Sequence, residues 1–176
     1  MRMKKHILPL ILLITLHMAN HVLATDIQIG QAAPEFELLD QHANTQSLSN
    51  YKGQWVILYF YPKNDTPGCT KEACEFRDDY KVLRAKNVQV LGISIDDSQS
   101  HAAFASKYQL PFPLLADTNG HTAKQYQALL NLGVIKLAKR HTFIIDPHGI
   151  IQMIYRKVDA KTHSDQILSD LKKLQS

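Results

Sequence analysis

The stretch "WVILYFY", residues 55 to 61, constrains the fold more than any other. An unbroken run of apolar, β-branched and aromatic residues leaves no side for water, so it predicts a strand covered on both faces. "VQVLGISI" (88 to 95) and "HTFIID" (141 to 146) repeat the pattern. "IIQMIYR" (150 to 156) follows the latter across Pro147-His148-Gly149, a hairpin-like turn. Helical stretches are expected between and after them, at about 67 to 85, 98 to 108 and 121 to 130, and at 163 to 174, where Ile167, Leu168, Leu171 and Leu174 share one face. This order predicts an α/β protein, a central mixed β-sheet with helices on both sides. In open sheets of this kind ligands bind beyond the carboxyl ends of the strands. Tyr61-Pro62 close the first central strand, so the loop after them lies at that edge.

The ends of the chain differ sharply. "MRMKKH" is basic, "ILPLILLITLHMA" is apolar, and "NHVLA" ends in Val22-Leu23-Ala24. This is the order of a secretory signal peptide cleaved after Ala24, and it predicts export, with the periplasm as destination. A membrane-spanning anchor needs ~20 apolar residues, and this run is shorter and broken by Pro9 and His17. One domain is then expected over 25–176, with no membrane association once residues 1–24 are removed. The leader carries Arg2, Lys4 and Lys5, so its loss leaves 17 basic against 16 acidic residues, a net charge of +1. No basic stripe or aromatic-basic surface for nucleic acid appears, and Lys136, Lys139 and Arg140 read as a short solvated cluster.

Both cysteines lie in "DTPGCTKEACEFRD" (65 to 78), Cys69 and Cys74 being five positions apart. Pro67 suits a first helical turn, and "TKEACEFRDDYKVLRAK" continues with good helix formers. On a regular helix such positions put their Cα atoms ~8.6 Å apart, whereas a disulfide needs them within about 7 Å. A bond therefore requires the first turns to unwind. Its small ring would constrain the unfolded chain by only ~2 kcal/mol, a weak reason for a structural staple. Zinc sites want cysteines two to four residues apart and a second ligand pair. Two thiolates and a histidine such as His141 would suit copper instead, which leaves an exported copper-delivery protein as an alternative.

A reactive pair accounts for the neighbours. The thiolate is the nucleophilic form of cysteine, and a helix N-terminus favours it. Pro67 and Gly68 set Cys69 at such a start, and Gly68 allows close approach of a substrate. Thr66 offers a hydroxyl to a substrate oxygen, or serves as a plain N-cap. Pro62 either ends the strand or keeps water from the thiolate. Glu72 and Arg77 either act near the site or form helix-surface pairs.

Pro62-x-x-x-Thr66-x-x-Cys69 resembles the signature of peroxiredoxins, and "YFYPKNDTPGCTKEACEFRD" resembles that of their Q-type group, the bacterioferritin comigratory proteins. "IGQAAPEFELLDQ" and "RHTFIIDPHG" extend the likeness over nearly all of the chain beyond the leader. The resemblance implies a thioredoxin-like fold and thiol-dependent reduction of hydrogen peroxide and organic hydroperoxides, without metal, haem or flavin. It assigns peroxide attack to Cys69, resolution to Cys74, polarisation of the peroxide to Thr66 and Arg140, and shielding to Pro62. Gly68 and Tyr61 are expected to line the substrate position. A thioredoxin-like dithiol reductant is the implied partner, and a monomer or weak homodimer the implied state. One stretch departs: where the family often has Tyr-Gly-Val and a polar loop, this chain has Tyr126-Gln127-Ala128 and "LLNLGVIKLAK".

Overall fold

The computed structural model describes residues 26–176, and the expected leader lies outside the described residues. The strands are β1 (Glu37–Leu39), β2 (Thr45–Ser47), β3 (Trp55–Phe60), β4 (Val88–Ser94), β5 (Leu114–Ala116), β6 (Leu129–Asn131), β7 (Lys136–Ala138), β8 (His141–Ile145) and β9 (Ile151–Tyr155). The helices are α1 (Pro67–Ala85), α2 (Ser98–Tyr108), α3 (His121–Gln125) and α4 (His163–Leu174). Seven strands form one mixed sheet in the order β2-β1-β5-β4-β3-β8-β9, and β6 and β7 form a separate hairpin. β3, β4 and β5 run parallel, while β8 lies antiparallel to β3, and β9 to β8. The fold is the thioredoxin-like one that the sequence predicts.

β3 is apolar throughout because both its faces are covered. Successive strand residues point to opposite sides. Ile57 and Tyr59, with Tyr61 beyond them, meet Phe76 and Leu83 of α1, Phe104 of α2, and Ile167 and Leu171 of α4. Val56, Leu58 and Phe60 meet Ala123 of α3, Tyr126, Ala138 of β7 and the N-terminal Ile27 and Phe36. The three long helices thus share one face, and on the other α3 is joined by the hairpin and the N-terminal segment.

The helix expected over 121–130 stops at Gln125. Tyr126 is drawn into the core, tilted against Phe60 and edge-on to Phe143, with its hydroxyl donating to the Pro34 carbonyl at 2.6 Å. Gln127 then takes a left-handed conformation (φ 54°), and the chain turns into β6. Long-range burial of one ring overrides a local helical pattern there.

Register sets the functional end. Phe60, the last residue of β3, pairs with His141, the first of antiparallel β8. The residue before β8, Arg140, therefore emerges at the same sheet edge as the loop that leads from β3 into α1.

Candidate active site

Thr66 precedes α1 in extended conformation (φ −83°, ψ 146°), and Pro67, Gly68 and Cys69 are the first three helical residues. Pro67 has no N–H to satisfy, and no side chain caps this end. The N–H groups of Gly68 and Cys69 therefore project from the first turn with no partner within the helix. Cys69 is buried, at 1% exposure, among Tyr59, Tyr61, Ala73 and Phe76. Its sulfur is nonetheless reached by a cation, because Arg140 Nη2 donates to Cys69 Sγ at 3.2 Å.

Arg140 is held from its other side. Its Nη1 donates to Glu72 Oε2 in an ion pair. Glu72 lies three residues beyond Cys69 on the same helix face and is fully buried (0%). Burial pushes its carboxyl up to about 7, against the opposing pull of Arg140, and its Oε1 has no partner. The planar guanidinium thus bridges the carboxylate and the sulfur, a two-point contact that fixes its direction. Gly68 completes the seat: a Cβ there would lie 3.2 Å from Arg140 Nη2. The glycine is needed for close approach of this arginine as well as of any substrate.

The loop between β3 and α1 is tied down by Asn64. Its backbone N–H donates to Asp96 at 2.9 Å, and its side-chain amide donates to Ser100 Oγ at 2.9 Å. The same amide donates to His101 Nδ1 at 3.1 Å, while Asn64 Oδ1 accepts from the Tyr61 hydroxyl at 2.8 Å. His101 Nε2 faces the Leu115 carbonyl at 3.2 Å, so Nε2 carries the hydrogen and Nδ1 accepts. Burial holds this histidine below its ordinary pKa, which keeps it neutral.

The predicted site residues fall into place unequally. Cys69 and Arg140 are in contact, and Thr66 and Gly68 adjoin them. Thr66 occupies the N-cap position but does not cap: its hydroxyl donates to the Lys63 carbonyl at 3.0 Å, leaving its lone pairs for another donor. Pro62 is half-buried and borders a shallow pocket of about 200 Å³ with Lys63, Ile95, Asp96, Lys136 and Leu137. Tyr61 does not line a substrate position. It is buried, stacked on Tyr59, and its hydroxyl is committed to Asn64, so it supports the loop. Cys74 is partly exposed, and both thiols are free. Because α1 is regular from Pro67 to Ala85, the two sulfurs stay apart until its start unwinds. Arg77 pairs with Asp78 and donates to the Tyr108 carbonyl, away from Cys69.

Glu72 was legible only as an alternative, since a glutamate three residues along a helix reads equally as a surface pair. Asn64, Asp96 and His101 carried no local signal; β4 and α2 bring them together. Among the described residues no group of three or more His, Cys, Asp or Glu is arranged to hold a metal ion. His141, the histidine that the copper alternative would use, is buried with Nδ1 unpartnered, and burial pushes it down to about 4.

Residues 29–154 match the AhpC/TSA family. The chain belongs to that family, as a peroxiredoxin of the Q type. It is 44% identical over 146 residues to peroxiredoxin Q, chloroplastic, of Populus jackii, spanning 82% of this chain and 68% of that one. The crystal structure of peroxidoxin BcpB from Mycobacterium tuberculosis superposes with a TM-score of 0.80 at 34% identity, covering 85% of this chain and 99% of that one. A Cys-to-Ser mutant of Xylella fastidiosa PrxQ gives 0.81 at 30% identity, covering 86% and 99%. As a peroxiredoxin, this enzyme is a thiol peroxidase, taking a peroxide as substrate and a thiol as reductant.

Proposed function

We propose that Cys69 is the peroxidatic nucleophile and that Cys74 resolves it. The observation that carries this reading is the Arg140 N–H directed at Cys69 Sγ from 3.2 Å, at the first turn of α1. The Cys69 thiolate attacks one peroxide oxygen, the O–O bond breaks, and the bonding pair leaves on the distal oxygen. That oxygen takes a proton and departs as water or an alcohol, leaving a sulfenic acid at Cys69. Arg140 and the N–H groups of Gly68 and Cys69 stabilise the developing charge, such donors being worth ~2.7–4 kcal/mol each. Thr66 accepts from the hydroperoxide O–H, consistent with its own hydrogen being engaged by Lys63. Glu72 positions Arg140, and Pro62 excludes water.

The start of α1 then unwinds, and the Cys74 thiol condenses with the sulfenic acid to give a Cys69–Cys74 disulfide and one water. A thioredoxin-like dithiol supplies two electrons and two protons to restore both thiols. Hydrogen peroxide and organic hydroperoxides are the proposed substrates, the leader puts the proposed action after export, and a monomer or weak homodimer is the proposed state.

Equimolar hydrogen peroxide mixed with reduced protein tests the assignment. Wild type loses both thiols and yields a Cys69–Cys74 cross-link by peptide mass mapping. Cys69→Ser consumes no peroxide, and Cys74→Ser stops at a sulfenic acid after one turnover. Sustained turnover of Cys74→Ser with a dithiol would remove Cys74 from its role.

A further inference from the structure

The base of the β6–β7 hairpin joins the core through Ala138 and Leu129, but its tip is used by neither the core nor the proposed chemistry. Its strands pair Leu129 with Ala138, Leu130 with Leu137 and Asn131 with Lys136. The Leu132 N–H donates to the Ile135 carbonyl at 2.9 Å, closing a tight turn whose central residues are Gly133 (φ 80°) and Val134. Turns of this kind are ordinarily polar. Here Val134 is 100% exposed, Leu132 63%, Ile135 54% and Leu130 37%, and they make up four of the seven large apolar side chains exposed among the described residues.

The surroundings of this tip are basic. From Thr118 to Ile145 the chain has no aspartate or glutamate, but it has Lys124, Lys136, Lys139 and Arg140, of which the three lysines are exposed. Asp96 borders the pocket that Lys136 and Leu137 share, and it is already engaged by Ser94 and by the Asn64 N–H. Exposed apolar clusters mark contacts with proteins or membranes. A stable protein interface needs roughly 800 Å² on each side and favours Tyr, Trp and Arg anchors. A narrow tip of leucine, valine and isoleucine supplies neither. An apolar tip with a lysine collar matches instead a lipid surface with anionic headgroups, where the aliphatic chains enter and the lysines stay at the phosphates.

We infer that the β6–β7 hairpin docks the protein on anionic lipid surfaces through Leu132, Val134 and Ile135, with Lys136 and Lys139 at the headgroups. The contact is peripheral, and no described helix is long and apolar enough to cross a membrane. It departs from the expectation of no membrane association after leader removal. Leu137 and Lys136 share their pocket with Pro62, so docking brings the site beside hydroperoxides held at the surface; that consequence alone rests on the peroxidase reading.

The test uses the full chain carrying Cys69→Ser and Cys74→Ser, with a nitrobenzoxadiazole label on Val134→Cys or, as a control, on Lys81→Cys in exposed α1. Mixed phosphatidylglycerol–phosphatidylcholine vesicles should raise and blue-shift emission at position 134 and leave position 81 unchanged. Adding Lys136→Gln should weaken vesicle affinity roughly fivefold. Silence at 134, an equal response at 81, an equal response to pure phosphatidylcholine, or a concentration-dependent response without vesicles would each overturn the inference. The last would indicate contact between two copies. In the catalytically intact chain, Leu132→Ser/Val134→Ser/Ile135→Ser should consume hydrogen peroxide at the wild-type rate, which separates loss of docking from loss of chemistry.

Discussion

A methyl group on Gly68 would stand 3.2 Å from Arg140 Nη2, closer than most carbon contacts, and Arg140 has little freedom to yield. One end of its guanidinium is pinned to buried Glu72 while the other meets Cys69. Gly68→Ala should therefore displace the guanidinium by a few tenths of an ångström and slow oxidation of Cys69, by about tenfold, since misplacement of ~1 Å costs up to 10²-fold. Helical content should be unchanged. A rate equal to wild type would mean that the arginine moves aside without consequence. Cys69, Thr66 and Pro62 were legible because their spacing survives in sequence, and Arg140 only through the family resemblance. Glu72 was only half legible, because its burial depends on what lies above it. Asn64 and His101, 37 positions apart, meet only through the crossover from β4 into α2.

α1 has to be intact for Cys69 to meet Arg140, and open for Cys74 to reach Cys69. Glu72 links the two demands to pH. Its folded-state pKa, about 7, is raised above the ordinary glutamate value of 4.5, chiefly by burial. A raised pKa means that the folded state binds the proton more tightly. The corresponding stability is fully present below about pH 4.5 and is lost as pH rises through about 7. The full shift amounts to roughly 3 kcal/mol, an upper bound. Urea unfolding of the reduced protein should show this loss between about pH 5 and pH 8, and Glu72→Gln should flatten it. An unchanged pH dependence in Glu72→Gln would show that Glu72 is not its source. The easier opening of α1 at higher pH suits resolution, which needs its first two turns to unwind. The same helix illustrates what is readable at this scale: long elements such as α1, α2, α4, β3 and β4 span enough residues to show a period. β1, β2 and β5, three residues each, do not, and the helix expected over 121–130 overruns its true end at Gln125 until the burial of Tyr126 is known.

Across the whole molecule, antiparallel placement of β8 beside β3 brings a residue 71 positions away onto Cys69. Sheet order alone could not be read from hydrophobic runs, since they specify covered strands without saying which are neighbours. Family resemblance supplied that link, and the register of Phe60 with His141 gives its physical form. Everything else in the proposed cycle depends on this contact making Cys69 the sulfur that peroxide finds. The most direct measurement is the second-order rate of sulfenic acid formation at Cys69 with hydrogen peroxide, in Cys74→Ser by stopped flow at pH 7. Adding Arg140→Ala should reduce that rate by about 10²–10³-fold, as for loss of one charge-stabilising donor. An undiminished rate in Arg140→Ala would contradict the account.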